Sequence, residues 1–300
     1  MSVIDLVKGI TYPAVDQTVT ARDAMLYSLA LGFGEDPCDT DQLRYVYEKG
    51  MQVFPTMAIT LCYPGSKGSS LLKFGLDARQ VLHVFQGFEL LMPIPLDIEL
   101  IGQQVITSVV DKGRERGVLW TYENQVKVRK SGELVCILKG ASMSRVGGSS
   151  ASKEGQAPQK RELPTRKADV IRDIQILPQA GLIYRLSGDY NPLHADPDLA
   201  SQGGFKQPIL HGRCTFGLAG RAVVETMCAS DGTRLKQMEA RFSSPVYPGD
   251  TLRTELWRDG ASVQFRCTVP NRDVTVLNHG VAEIQDASQG NLSVSHAKQV

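Results

Sequence analysis

Apolar and polar residues alternate in two separate parts of the chain, and each part predicts a run of antiparallel strands. Turn residues interrupt the alternation: Asp259-Gly260 predicts a tight hairpin, and Lys112-Gly113 and Ser131-Gly132 predict turns in the earlier part. The predicted strands cover 97–110, 118–128, 134–143, 251–258, 262–269 and 274–284. Because the elements follow one another in the same order, the sequence favours two related units of the α+β class.

The stretch Pro208–Met227 predicts a helix that other elements approach closely, because it is rich in glycine, alanine and apolar residues. Its charges, at Arg213, Arg221 and Glu225, fall on one stripe of a helix. A curved antiparallel sheet wrapped around this helix fits the pattern. The N-terminal counterpart, 54–61, is shorter because prolines bound it.

Residues 146–168 fit neither pattern. They are rich in glycine, serine, lysine, arginine and proline and almost lack large apolar side chains, so they predict a surface linker. The predicted organisation is an N-terminal unit at 1–145, the linker, and a C-terminal unit at 169–300.

Composition narrows the function classes. The 300 residues carry a formal net charge of +1, which argues against a dedicated nucleic-acid surface. The six cysteines form no Cys-x-x-Cys pair, so no zinc or redox spacing is present. No segment has the length of apolar sequence that a bilayer span needs, and neither a secretory signal nor a Ser-Lys-Leu ending is visible. These features predict a cytoplasmic protein that does not contact membranes.

The densest polar cluster lies at 187–196, and His211-Gly212 follows it at the start of the predicted helix. Asp189-Tyr190-Asn191-Pro192 alone predicts only a turn, and a lone His194 is more often structural than catalytic. Together, an acid and an imidazole five positions apart across a rigid turn can converge on one small molecule. Placed just before a helix, this pair suits proton transfer next to an oxyanion.

Longer motifs around this cluster carry a family resemblance. They lie at 184–197, 208–212, 214–217, 240–242 and 245–249, with weaker ones at 45–48, 54–56 and 81–83. With them the chain resembles the MaoC-like R-specific enoyl-CoA hydratases, in particular the hydratase portion of the eukaryotic D-specific multifunctional enzyme of β-oxidation. The resemblance implies a double hot-dog fold in which only the C-terminal unit keeps the catalytic motif and the N-terminal unit makes room for the acyl chain.

The same resemblance implies a reaction and a set of residues. The reaction is the reversible hydration of trans-2-enoyl-CoA to (3R)-3-hydroxyacyl-CoA, with no cofactor besides the coenzyme A thioester substrate, no metal, and a homodimer as the assembly. The implied catalytic residues are Asp189, His194, Asn191 and Gly212, whose amide would polarise the thioester oxygen. The implied substrate-binding residues are Glu48, His83, Lys112, His211 and Phe242.

One motif departs from the family. Where members often have His-Gly-Glu-Gln, this chain has His83-Val84-Phe85-Gln86. The bulkier apolar pair bears on the shape of the acyl pocket and on the contacts of the N-terminal unit.

Other functions stay open at this point. A MaoC-like dehydratase or hydratase of a branched, dicarboxylic or carrier-bound thioester would use the same chemistry. A thioesterase is less favoured because such enzymes lack this motif, and a non-catalytic acyl-CoA-binding module has no use for a paired acid and base. A metal site from His194, Asp196 and His211 is least favoured, because Asp196-Pro197 is typical of a helix cap.

Overall fold

The computed structural model describes residues 7, 10, 12–65, 81–145, 148 and 157–285. Its described part contains one ten-stranded antiparallel sheet and a set of mostly short helices. The α+β class is therefore confirmed. No helix in this part of the chain has the length and apolarity needed to cross a membrane.

The strands alternate in burial wherever one face of the sheet meets the core. In Ser262–Val269 every second residue is buried, as the sequence pattern predicts. The ten strands are β1 (Val15–Thr18), β2 (Val81–Leu90), β3 (Glu99–Asp111), β4 (Val118–Val128), β5 (Leu134–Ser144), β6 (Val170–Gln175), β7 (Leu235–Phe242), β8 (Thr251–Asp259), β9 (Ser262–Val269) and β10 (Val274–Ile284).

The strand order repeats in the two halves of the sheet. Across the sheet the order is β1-β3-β4-β5-β2-β7-β10-β9-β8-β6, so each half has the same internal order and the two halves meet in mirror sequence. They join where β2 pairs with β7, from Phe85 opposite Arg241 to Glu89 opposite Gln237. This repeated topology agrees with the two related units that the sequence predicts.

The α-helices whose bounds lie within the described residues pack around the sheet. They are α1 (Ala21–Ala30), α2 (Thr40–Leu43), α3 (Ala180–Tyr184), α4 (Pro197–Gln202) and α5 (Gly212–Met227). Short 3-10 helices lie at Pro55–Thr60, Arg185–Ser187, Pro192–His194, Gly232–Arg234 and Pro270–Arg272. Thr20 and Asp23 form a capping box that fixes the start of α1.

Helix α5 is the centre of the molecule, and almost all its residues are buried. A Cβ at Gly217 would lie 2.8 Å from Leu31, the residue directly after α1, and one at Gly220 would overlap Thr56 of the 3-10 helix Pro55–Thr60. The small residues of α5 therefore let two N-terminal elements touch its backbone. Its N-terminal counterpart is that six-residue 3-10 helix, shorter as predicted.

Helix α5 begins at Gly212, the glycine that the sequence places at the start of the helix. Residues 208–211, which belong to the same small-residue stretch, lie before it. Leu210 donates its N–H to the Val246 carbonyl at 2.8 Å, and His211 has extended-type torsions, so the preceding residues are held away from helical geometry. This places the first turn of α5 beside the 187–196 loop.

Part of the predicted linker, residues 146–147 and 149–156, lies outside the described residues. Its described end, 157–168, contains neither helix nor strand. The predicted boundaries at 145 and 169 stay a prediction.

Candidate active site

The structure brings Asp189 and His194, which share one loop, together with His211 from a separate segment. One donor or acceptor atom from each lies within 4.8 Å of the others. Asp189 lies in the loop after the 3-10 helix Arg185–Ser187, His194 ends the next 3-10 helix, and His211 directly precedes α5.

The loop between Asp189 and His194 is fixed by its own polar side chains. The Asp189 carboxylate accepts from the Asn191 N–H at 3.3 Å, and the Asn191 side-chain oxygen accepts from the Leu193 N–H at 3.1 Å. Asn191 thereby caps the 3-10 helix Pro192–His194. Asn191 thus fixes the turn between the acid and the imidazole through its backbone N–H and its side-chain oxygen.

The hydrogen bond of His194 sets its tautomer. Its Nδ1 lies 2.9 Å from the Ile209 carbonyl oxygen, which can only accept, so Nδ1 carries the proton and Nε2 keeps a lone pair. Burial lowers the pKa of His194 below its usual value. A neutral imidazole with a free Nε2 can accept a proton from water.

His211 contacts both of the other members of the cluster. Its Nε2 donates to the Asp189 carbonyl at 3.1 Å, and its ring lies 3.8 Å from the His194 ring. Burial, followed by the neighbouring His194, lowers the pKa of His211 to about 3. His211 is therefore neutral and holds the backbone of the acid in place. Its Nδ1 is buried and has no hydrogen-bond partner among the described residues.

Gly212 and Phe242 form one wall of the site. A Cβ at Gly212 would lie 3.2 Å from the Phe242 ring, so a side chain at this position would press on Phe242. The first N–H groups of a helix lack partners within the helix and lie at its positive end. The amide of Gly212 is thus suited to a developing oxyanion.

His83 lies on the other side of Phe242. The two rings are 4.8 Å apart, and the Nε2 of His83 is 3.3 Å from the Tyr122 hydroxyl. Burial, aided by the positive charge of Arg213, lowers the pKa of His83 to about 3. His83 is a neutral wall residue contributed by β2 of the N-terminal half.

Lys112 lies apart from this cluster, at the hairpin between β3 and β4. Its N–H donates to the Gly117 carbonyl at 2.9 Å. Burial, together with the positive charges of Arg241, Arg116 and Lys160, lowers the pKa of Lys112. Lys112 thus belongs to a group of four cations, Lys112, Arg116, Lys160 and Arg241, which we call the cationic group.

The structure does not bring Glu48 to the site. Glu48 is exposed and follows Tyr45, whose hydroxyl donates to the Ser230 carbonyl and accepts from the Gly232 N–H, both at 2.7 Å. Ser230 lies beyond the C-terminal end of α5, and the site lies at its N-terminal end, about 23 Å away for 16 residues. The predicted contact of Glu48 with substrate has no support in this placement.

The least favoured alternative, a metal site from His194, Asp196 and His211, does not form among the described residues. Asp196 caps α4 by accepting from the N–H groups of Asp198 and Leu199, as the helix-cap interpretation predicts. Asp189 takes its place beside the two histidines.

Sequence reasoning missed Arg213 and Tyr63 as site residues. The guanidinium of Arg213, in the first turn of α5, lies 3.8 Å from the centre of the Tyr63 ring. Tyr63 comes from the N-terminal half, and both residues interact electrostatically with Asp189. The only signal in the sequence was a charged residue directly after His211-Gly212.

Comparison with known proteins agrees with this geometry. Residues 17–145 match the family model of the MFE-2 hydratase 2 N-terminal domain, and residues 158–279 match that of the MaoC like domain. The chain is 34% identical over 289 residues to the Arabidopsis thaliana protein named "Enoyl-CoA hydratase 2, peroxisomal", covering 91% of this chain and 93% of that one. The chain belongs to the enoyl-CoA hydratase 2 family of MaoC-like proteins. The resemblance inferred from the motifs is therefore confirmed.

Solved structures place this MaoC-like chain in the same fold. A MaoC-like dehydratase from Phytophthora capsici superposes with a TM-score of 0.81 at 31% identity, over 95% of this chain and 99% of that one. A Mycobacterium tuberculosis protein described as having a double hotdog fold matches in fold alone, with a TM-score of 0.57 at 15% identity, over 94% of this chain and 97% of that one. The double hot-dog prediction is confirmed.

Proposed function

We propose that the chain catalyses the reversible hydration of trans-2-enoyl-CoA to (3R)-3-hydroxyacyl-CoA in fatty-acid metabolism. The observation that carries the proposal is the convergence of Asp189 and a neutral His194 next to the first turn of α5. Family membership supports the same reaction.

The geometry suggests how the residues divide the work. A water held between Asp189 and the Nε2 of His194 gives up a proton as its oxygen bonds to Cβ of the enoyl group. The Cα–Cβ double bond opens toward the thioester, whose oxygen gains negative charge beside the Gly212 amide. A proton returned to Cα on the same face completes the addition, so the enzyme ends in its starting state.

The other residues have supporting roles in this proposal. Asn191 orients the pair, His211 fixes the Asp189 backbone, and His83 and Phe242 line the substrate path. The cationic group that includes Lys112 would receive the phosphates of coenzyme A. We also propose that the N-terminal unit accommodates the acyl chain, that no further cofactor takes part, and that the protein is a cytoplasmic homodimer.

The reaction is tested with crotonyl-CoA and a medium-chain trans-2-enoyl-CoA. Loss of the conjugated thioester absorbance measures turnover, and stereochemical analysis identifies the product. We expect the (3R)-alcohol, and we expect Asp189→Asn and His194→Gln each to lower kcat about 10²- to 10⁴-fold because each removes one proton-transfer partner.

Asp198→Asn is the matched control, since Asp198 is an exposed carboxylate in the first turn of α4. It makes the same chemical change nearby and should keep full activity. A (3S)-product, or full activity in both site variants, would refute the proposal. Activity abolished by a chelator and restored by a divalent metal would replace proton transfer by a metal-bound water as the mechanism.

A further inference from the structure

Arg213 is a buried cation at the start of the central helix. It follows Gly212 directly, only 8% of its surface is exposed, and its guanidinium packs on the Tyr63 ring. The charge acts on the site, because it contributes to the lowered pKa of His83.

Among the described residues, Arg213 has neither an ion-pair partner nor a hydrogen-bond acceptor. Asp189 lies near enough to interact electrostatically but not in contact. The second buried arginine of α5 differs sharply: Arg221, 1% exposed, donates to Glu225 at 2.6 Å and to the Leu31 carbonyl at 2.9 Å. The guanidinium of Arg221 thus has both an opposite charge and a carbonyl acceptor. The guanidinium of Arg213 has neither among the described residues.

An unpaired guanidinium is unfavourable at this place for two reasons. Burial removes water from the charge without an opposite charge in contact. In addition, the first turn is the positive end of the helix dipole, where cations are disfavoured. A site that keeps such a charge is prepared for an anion that enters with the ligand.

The position of Arg213 limits which part of a coenzyme A thioester can supply that anion. In the proposed function, the amide of Gly212 holds the thioester oxygen, and Arg213 is the next residue. The phosphates of coenzyme A are separated from the thioester by the whole pantetheine arm, which is much longer than an arginine side chain. In the proposed function, the cationic group at the β3–β4 hairpin receives these phosphates. The anion facing Arg213 must therefore lie on the acyl group.

We propose that Arg213 binds a carboxylate on the acyl chain, so that the preferred substrates are enoyl-CoA thioesters derived from dicarboxylic acids. This inference rests on the proposed hydratase function and specifies its substrate class. The planar guanidinium suits a carboxylate because it can donate two parallel hydrogen bonds to it.

The experiment compares pairs of trans-2-enoyl-CoA substrates of four, six and eight carbons, one ending in a carboxylate and the other in a methyl group. At one or more lengths we expect kcat/KM to be at least about 30-fold higher for the carboxylate-ended substrate, the size expected for a desolvated charge pair. Arg213→Leu should remove this preference, so that kcat/KM becomes about equal for the two members of each substrate pair. Arg213→Lys, which keeps the charge but not the fork, should fall between.

Two results would overturn the inference: no preference for the carboxylate at any length, or an equal loss on both substrates in Arg213→Leu. The equal loss would assign Arg213 to the coenzyme A moiety or to the chemistry. Hydration of methyl-ended substrates by the unmodified protein tests the proposed function independently, so either idea can fail alone. No hydration of any substrate would refute both.

A thermal unfolding measurement separates binding from structure. If Arg213 serves a ligand, Arg213→Leu should leave the unfolding temperature unchanged or raise it, because an unpaired buried charge is replaced by an apolar group. Arg221→Leu is the matched comparison on the same helix and should lower it, since it leaves Glu225 without its buried partner. A loss of stability in Arg213→Leu as large as that in Arg221→Leu would assign Arg213 a structural role instead.

Discussion

At the scale of single residues, two buried histidines connect stability to pH. His83 and His211 have pKa values lowered to about 3, mainly by burial. In the unfolded chain both titrate near 6.5, so below that pH the unfolded state binds more protons than the folded state. The free energy of unfolding contributed in this way is fully present above about pH 6.5 and is lost as the pH falls toward 3.

Replacing one of these histidines should therefore flatten the pH dependence. We expect the free energy of unfolding of His83→Gln to fall less steeply between pH 6.5 and 4.5 than that of the unmodified protein, by about one proton in the linkage slope. Denaturant titrations at several pH values measure it. Identical slopes in the two proteins would show that His83 does not remain neutral in the fold.

Residue-level prediction from sequence succeeded where chemistry was concentrated in one segment. Asp189, Asn191 and His194 lie within six residues, and the structure brings the acid and the imidazole close to His211. Arg213 could not be recognised in the same way. A charged residue on a helical stripe has the same pattern whether it faces water or a buried ring, and only the fold brings Tyr63 to it.

At the scale of elements, alternation located the strands that have one buried face and clear turns at both ends. The alternation did not reveal strand β2, because four consecutive residues, Phe85–Phe88, are buried and no period of two is visible. The edge strands β1 and β6, of four and six residues, are too short to give a pattern. Strand β7, at the joint between the halves, was also missed.

The contact between α5 and the 3-10 helix Pro55–Thr60 depends on Gly220. A Cβ there would overlap the Cγ2 methyl of Thr56, a fully buried residue whose hydroxyl accepts from Tyr27 at 2.9 Å. We expect Gly220→Ala to lower the free energy of unfolding by about 1–3 kcal/mol through overpacking, despite the better helix propensity of alanine.

A second substitution tests the cause. Thr56→Ser keeps the hydroxyl and removes the overlapping methyl, so the double variant Gly220→Ala/Thr56→Ser should be more stable than the sum of the two single changes predicts. Thermal or denaturant unfolding of all four proteins gives the coupling energy. Strict additivity would mean that the glycine is needed for another reason.

At the scale of the whole molecule, the two halves share one sheet and one central helix. Strand β2 would present an open edge without β7, and α5 would lose its contacts with Leu31 and Thr56. We therefore expect the halves to unfold together.

The chain has a tryptophan in each half that can report on this. Trp120 lies in β4 and Trp257 in β8, and both are buried. In the single-tryptophan variants Trp120→Phe and Trp257→Phe, fluorescence follows one half and far-ultraviolet circular dichroism follows the whole molecule. In each variant we expect the two denaturation curves to coincide. Two separated midpoints would show that the halves are independent folding units.

The strand order repeats in the two halves, but α5 is much longer than its N-terminal counterpart. This difference sets the number of reaction centres. A two-fold scaffold would ordinarily offer two equivalent sites, one at the start of α5 and one at the start of its N-terminal counterpart. Here one of those helices is a six-residue 3-10 helix begun by Phe54 and Pro55, and within the described residues the acid–histidine cluster occurs once. A homodimer of this chain would thus contain four copies of the folding unit and two sites, and a tight-binding inhibitor would saturate it at one molecule per chain.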